Sequence, residues 1–195
     1  MQRLEDRDPG PPFSIAISAN RALENSVYKV TGFVRNDGTE VYENIGVVVT
    51  FYDDEGFRHG PLEADCPFIL LAPGEQSPFS IQVAARRVVS FLAHPNGRPT
   101  GRQSAPVLLS SLSMFYGGDS VRITGLASNG NEFKIKNVVV AGALYDASGQ
   151  MVSLGSTFLL QEDILPGSGV WFDLRIEYVP FVRYQLYAQA ERDWE

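Results

Sequence analysis

The chain has 195 residues, 44% of them hydrophobic and 20% charged, with a formal net charge of -7 and a pI near 4.9. That composition describes a foldable globular chain and excludes a nucleic-acid partner, because phosphate binding depends on clustered Lys and Arg; it also disfavours an anionic membrane surface. No apolar run approaches the roughly 20 residues that span a bilayer, so no transmembrane segment is predicted.

In chain order, residues 1–11 are charged and rich in Pro and Gly, which predicts a disordered lead-in without the apolar stretch of a signal peptide. Residues 13–18 alternate apolar and polar, as a strand with one face on a core does, and 20–26 read as a turn-like connection. Alternation resumes over 27–36, placing Tyr28, Val30, Gly32 and Val34 on one face and Lys29, Thr31 and Arg35 on the other. Asn36-Asp37-Gly38 ends that strand; Ile45, Val47, Val49 and Phe51 form the core face of the next, which closes at Tyr52-Asp53-Asp54-Glu55-Gly56. An acidic residue followed by Gly supplies the positive-φ turn that reverses the chain. The pattern loosens through 58–61, tightens at 68–71 before the Pro73-Gly74 turn, and ends the half with strands over 78–83 and 88–92. Residues 95–104 are polar and stiffened by proline, which predicts a linker between a first sandwich over 12–94 and a second over 105–195.

The second half repeats the first without a gap, at an offset of about 93 residues. Gly32 matches Gly125, Asn36 matches Asn129, Asn44 matches Asn137, Tyr52-Asp53 matches Tyr145-Asp146, Gly56 matches Gly149, Pro73-Gly74 matches Pro166-Gly167, and Phe79 matches Phe172. Most of the matches are core-facing or turn residues, the set that a shared fold holds constant. The expected fold is all-β: two tandem immunoglobulin-like or fibronectin III-like sandwiches related by duplication, without long helices. A glycine inside a strand needs a reason, so a large side chain is expected over Gly32 and over Gly125.

These residues and spacings resemble the FxLYD family of bacterial domains. The chain gives Val30-Thr31-Gly32, Asn36, Asn44-Ile45, Phe51-Tyr52-Asp53, Gly56, Leu71-Ala72-Pro73-Gly74 and Phe79. The second copy gives Ile123-Thr124-Gly125, Asn129, Asn137-Val138, Leu144-Tyr145-Asp146, Gly149, Leu165-Pro166-Gly167 and Phe172. The resemblance implies an immunoglobulin-like or fibronectin III-like sandwich in an exported, envelope-associated bacterial protein, with an export segment expected ahead of Met1. It carries no catalytic residues to transfer.

Features that bear on chemistry are few. Asp53, Asp54 and Glu55 are the candidate calcium ligands, since calcium takes several hard oxygens at one loop. The second copy keeps one carboxylate there, Asp146, and solvated turn carboxylates are the plainer account. Glu162-Asp163 reads as a charged surface pair. Nucleophilic catalysis would need Cys66 or a serine activated by His59 or His94, none of which recurs in the second copy, and Gly167-Ser168-Gly169 reads as a turn; no enzyme and no cofactor are expected. A lone cysteine leaves the compartment open. Aromatic residues crowd the end of the second half, including Trp171, Phe172, Tyr178, Phe181, Tyr184, Tyr187 and Trp194. Phe172, Leu174 and Ile176 alternate together, so Trp171 should face away from the core, and Trp171, Tyr178 and Tyr187 are the candidate partner-binding residues. Arg86, Arg87, Arg98 and Arg102 form a basic island expected to face water or to pair across the halves. The reading is a non-catalytic spacer or protein-interaction module of an exported envelope protein, bound to a protein or a cell-envelope component. The rival is a ligand-binding module, taking glycan or peptide on the Trp171 face or calcium at the Asp53 turn.

Overall fold

The computed structural model describes residues 12–23, 27–85, 87–159 and 163–194, and the lead-in expected over 1–11 lies outside them. Every regular element in the described residues is a strand. The first half contains β1 (Phe13–Leu23), β2 (Val27–Asn36), β3 (Tyr42–Asp53), β4 (Arg58–Asp65), β5 (Leu70–Leu71), β6 (Gln76–Ala84) and β7 (Val88–Pro99). The second contains β8 (Ser104–Pro106), β9 (Leu108–Gly117), β10 (Ser120–Ser128), β11 (Ile135–Tyr145), β12 (Met151–Phe158), β13 (Asp163–Ile164), β14 (Gly169–Glu177) and β15 (Arg183–Arg192).

Pairing repeats as the sequence does. In the first half β1-β2-β6 form one sheet, and β3 pairs with β4, β5 and β7 in the other. In the second half β9-β10-β14 reproduce the first sheet, and β11 pairs with β12, β13 and β15 in the other, with β8 added beyond β15. The ladders between the described strands are all antiparallel, and each half is a β-sandwich with its own core. Val30, Val47, Val49, Phe51 and Phe79 are fully buried in the first. Their equivalents Ile123, Val140, Leu144 and Phe172 fill the second. Truncating a phenylalanine buried like Phe51 or Phe79 costs about 3–5 kcal/mol.

The repeated residues hold the same local geometry. A Cβ on Gly32 would lie 2.8 Å from the Phe79 ring, and one on Gly125 2.8 Å from the Phe172 ring, so a large side chain does lie over each glycine. Buried Asn36 donates its amide to Glu40 O (2.7 Å) and Leu71 O (2.8 Å); Asn129 donates to Phe133 O and Ile164 O (both 2.8 Å). Asn44 and Asn137 adopt φ of 54° and 52° at bulges in β3 and β11, a conformation that asparagine tolerates better than most residues. These asparagines recur because each solves a backbone problem in its copy.

Three sequence expectations change. Strand β1 continues to Leu23, into the expected connection over 20–26. The loosened stretch at 58–61 is the start of β4, which takes Pro61 because it is an edge strand. The expected linker over 95–104 is mostly strand: β7 runs to Pro99 on β3, and Ser104–Pro106 is β8 on β15. Even the four residues between are tied to both halves, Thr100 N–H donating to Val41 O and Arg192 N–H to Gln103 O, each at 2.9 Å.

The two sandwiches meet face to face. The outward residues of β11 are buried: Val139 and Ala141 belong to the first core, while Ala143 and Tyr145, with Met151 of β12, pack with Phe33 and Tyr187. Across this seam Thr31 Oγ1 donates to Met151 O (2.7 Å) and Met151 N–H donates to Ser18 Oγ (2.8 Å). Gln189 takes Leu70 as a strand neighbour would, its Nε2 donating to Leu70 O (2.8 Å) and its Oε1 accepting Leu70 N–H (3.3 Å). Lys29 and Thr31, which alternation assigns to solvent, are therefore buried.

Candidate functional site

The aromatic residues of the second half go to separate places. Trp171 lies on the outer face of the β9-β10-β14 sheet, 66% exposed, paired in register with Leu126. Phe172, Leu174 and Ile176 point inward from the same strand, so the alternation read from the sequence places the indole on the solvent side. The next outward position is Asp173, whose carboxylate takes Arg122 side-on: Nε donates to Oδ1 and Nη2 to Oδ2, both at 2.9 Å. That hydrogen-bonded guanidinium holds the Asp173 carboxyl below the usual carboxylate range. The face thus presents a flat ring, a fixed fork of donors and acceptors, and Phe115 on the far strand, opposite Arg122. Such a surface can stack on a planar or apolar group while bonding to its polar edge.

Tyr178 does not join it. Seven residues of extended chain put it about 23 Å from Trp171. It sits at the end of the sandwich, 43% exposed, with Tyr116 and Phe181; its ring centroid is 6.4 Å from each, and Tyr116 stacks on Phe181 at 6.1 Å. Tyr187 is at the seam: it packs edge-on against Phe33 (6.0 Å), and its hydroxyl meets the Tyr145 hydroxyl at 2.7 Å. Burial, with that hydrogen bond, pushes its phenol well above the ordinary range. As a partner-binding residue Tyr187 is misassigned, because the first sandwich already covers it. Trp194 is exposed and stacks on the Arg192 guanidinium at 4.0 Å, with Phe133 on the other side at 4.3 Å.

The Asp53 turn is built as a turn. Asp53 Oδ1 accepts the N–H of Glu55 (3.1 Å) and of Phe57 (2.8 Å), and Oδ2 pairs with His59 Nε2 (2.9 Å). The His59 bond, with the two backbone donors, holds this carboxyl below the usual range. Asp54 pairs with Arg87 at 3.3 Å, and Glu55 is exposed. Asp146 repeats the arrangement, its Oδ1 accepting Ser148 N–H (2.9 Å) and Gln150 N–H (3.0 Å). Gly56 and Gly149, at φ 83° and 82°, complete the two hairpins. Among the described residues no group of three His, Cys, Asp or Glu side chains converges as metal ligands would. The carboxylate that sequence offers to calcium is spent on closing the hairpin.

Cys66 and the histidines form no catalytic pair. Cys66 is buried just past the end of β4, whereas His59 lies near its start, about 20 Å away along the strand, and His94 is exposed on β7. The described arginines of the basic island, Arg87, Arg98 and Arg102, are each paired with a carboxylate. Arg98 pairs with Glu43 at 2.8 Å; Arg102 donates to Glu43 Oε2 at 2.9 Å and to both carboxylate oxygens of Glu191, so one guanidinium joins the two halves. Arg102 holds both carboxyls below the ordinary glutamate range, and their charge raises its own pKa in turn. Arg86 and Glu162 lie outside the described residues, and Asp163 pairs with Lys134 at 3.6 Å. A cleft of about 700 Å³ opens beside Arg102, but its polar walls are engaged: Glu63 accepts the Asn96 amide and Asn137 donates to Glu191, both at 2.7 Å. The outer face of β9-β10-β14 is the better candidate.

The seam was not foreseen, although β11 carried a signal: 138–145 is a continuous apolar run, as in strands buried on both faces. No described helix is long and apolar enough to cross a membrane. No protein-family model and no curated protein matches the sequence. Among solved structures, the crystal structure of red sea bream transglutaminase is similar over 93% of this chain, at 11% identity and a TM-score of 0.28. This chain spans 29% of the length of that protein, and a likeness at that score carries no argument about activity.

Proposed function

We propose that the chain is a non-catalytic structural and interaction module, a tandem of FxLYD-type sandwiches from an exported bacterial envelope protein that holds the outer face of its second sandwich toward a partner. One observation carries this reading: the residues common to both copies close turns, fill bulges and pack cores, as Asn36/Asn129 and Asp53/Asp146 do, and none of them forms a reaction centre. The bonded seam adds to it, since a rigid pair of sandwiches suits a spacer that must keep one face oriented. The second reading, a ligand-binding module, is favoured by Trp171, which stands exposed beside the Arg122–Asp173 fork.

One panel separates the two. Thermal shifts of the purified chain are measured against neutral and acidic bacterial polysaccharides, peptidoglycan fragments and calcium, because ligand at about 100 times its dissociation constant adds about 2.7 kcal/mol of stability. The interaction-module reading predicts no saturable shift and retention of an envelope protein by immobilised chain, lost on Trp171→Ala. A saturable shift with a polysaccharide, abolished by Trp171→Ala, replaces it with the ligand-binding reading. Fractionation that recovers the native protein from the cytosol alone contradicts the envelope location.

A further inference from the structure

Strand β9 is an open edge. Among the described residues it pairs with β10 alone, and no other strand lies beyond it in the sheet order. Its counterpart β1 is crossed by the second half, where Ser18 Oγ accepts the Met151 N–H. Edge strands are normally protected by charged side chains, but residues 103–118 contain no Asp, Glu, Lys or Arg, in a chain of net charge -7. A bulge at Ser111, φ 52°, interrupts the strand, and a regular run follows from Leu112 to Gly117. Within that run Leu112, Phe115 and Tyr116 are 43%, 53% and 64% exposed.

We propose that this edge is a self-association surface: the β9 strands of two copies pair antiparallel about a two-fold axis at Met114, joining the two three-stranded sheets into one of six. Register and chemistry select a second copy. With Met114 opposite itself, Ser113 stands opposite Phe115 of the other copy on the outer face, small against large. Leu112 stands opposite Tyr116 on the inner side, so each exposed apolar side chain of the run gains a cross-strand partner. Facing parity is kept, because Phe115 and Ser113 share the face of Arg122 and Thr124, while Met114 and Tyr116 share that of Ile123 and Val121. An uncharged strand meets itself without opposing like charges, whereas a strand bearing carboxylates would add negative charge to an acidic chain. Five paired residues in each copy, Leu112 to Tyr116, cover less than the roughly 800 Å² per partner of a standard interface, so a weak dimer is expected. The bodies repel at net charge -7 each while the contact itself is neutral; association therefore strengthens with salt.

Sedimentation velocity on the full chain, from low micromolar to millimolar concentration and at two ionic strengths, tests this. The expected result is a reversible monomer–dimer equilibrium that shifts toward dimer at the higher salt. Ser113→Lys with Phe115→Lys places like charges opposite each other at both symmetric positions and should weaken association by about tenfold or more. Ser113→Lys with Phe115→Glu places opposite charges there and should restore the dimer. Both substituted positions face solvent, and an unchanged melting midpoint confirms that each variant folds. A chain monomeric throughout, a dimer indifferent to the paired lysines, or a folded charge-swap variant as monomeric as the like-charge one would each overturn the proposal.

Discussion

The outer face of β1-β2-β6 and the outer face of β9-β10-β14 are the same surface of the repeat, once in each copy, and they end in different environments. Lys29, Thr31 and Phe33 of β2 correspond to Arg122, Thr124 and Leu126 of β10, and Pro78 corresponds to Trp171. In the first copy this face lies against the second sandwich: Thr31 bonds to Met151 O, Phe33 packs on Tyr187, and buried Lys29 reaches across to Glu177 at 3.5 Å. In the second copy it is open, and Arg122 finds Asp173 within its own sheet. Near-identical side chains are thus interior in one place and surface in the other. A strand's own alternation says which residues share a face; what covers the face depends on a sheet far away in sequence. The complementary pair says the same: outward Val139, Ala141 and Ala143 of β11 are buried, whereas Val48 and Thr50, the counterparts of Ala141 and Ala143, are only partly so.

Matched substitutions break this comparison most sharply. Ala141→Asp buries an unpaired carboxylate in the seam and should destabilise by about 4 kcal/mol or more, while Val48→Asp, at the same place in the first copy, should cost about 1 kcal/mol. Chemical denaturation of the two variants checks this, and equal losses would mean that the seam is not a packed interior.

A smaller effect is expected at the charged bridge. Arg102→Ala leaves Glu191 and Glu43 without their shared cation; a fully buried pair broken this way loses about 3–5 kcal/mol, and partial exposure of Arg102 reduces the expectation to about 2 kcal/mol. Both carboxyls have folded pKa values below their unfolded ones, so their contribution is present above the unfolded glutamate pKa of about 4.3 and lost as pH falls through the folded values. The gap between wild type and Arg102→Ala should therefore be widest near neutrality and narrow below about pH 4. A gap that grows on acidification would contradict the bridge.

Smaller again is the threonine pair. Thr31→Val leaves the Met151 carbonyl without its buried donor and should cost about 1–2 kcal/mol, whereas Thr124→Val, on the open face, should stay within about 0.5 kcal/mol. Gly56→Ala and Gly149→Ala sharpen the contrast as a control. Both glycines hold positive φ with open space around them, so each should lose about 1 kcal/mol, alike in the two copies because the turns are alike.

The sequence made the repeat unit legible. Alternation assigned Val30, Val34, Val47, Val49 and Phe51 to a core, Gly32 called for a large neighbour that proved to be Phe79, and Trp171 was placed on the solvent side. These are local facts, set by the two-residue period of a strand or by φ at one position. Other features were not legible because they depend on contacts between the copies. Lys29 looks like a solvent residue until Glu177 is found beside it, and Tyr187 looks like a binding aromatic until Phe33 is found over it. Asp53 shows a third kind of limit. A carboxylate offered to a metal and a carboxylate closing a hairpin read alike in sequence, and only the N–H groups of Glu55 and Phe57 on its oxygen tell them apart.

The seam makes one cooperative body of the two sandwiches, and scanning calorimetry of the full chain distinguishes one body from two. A single transition is expected, with equal calorimetric and van't Hoff enthalpies, splitting into two when Ala141→Asp opens the seam. Two resolved transitions in the unsubstituted chain would contradict it.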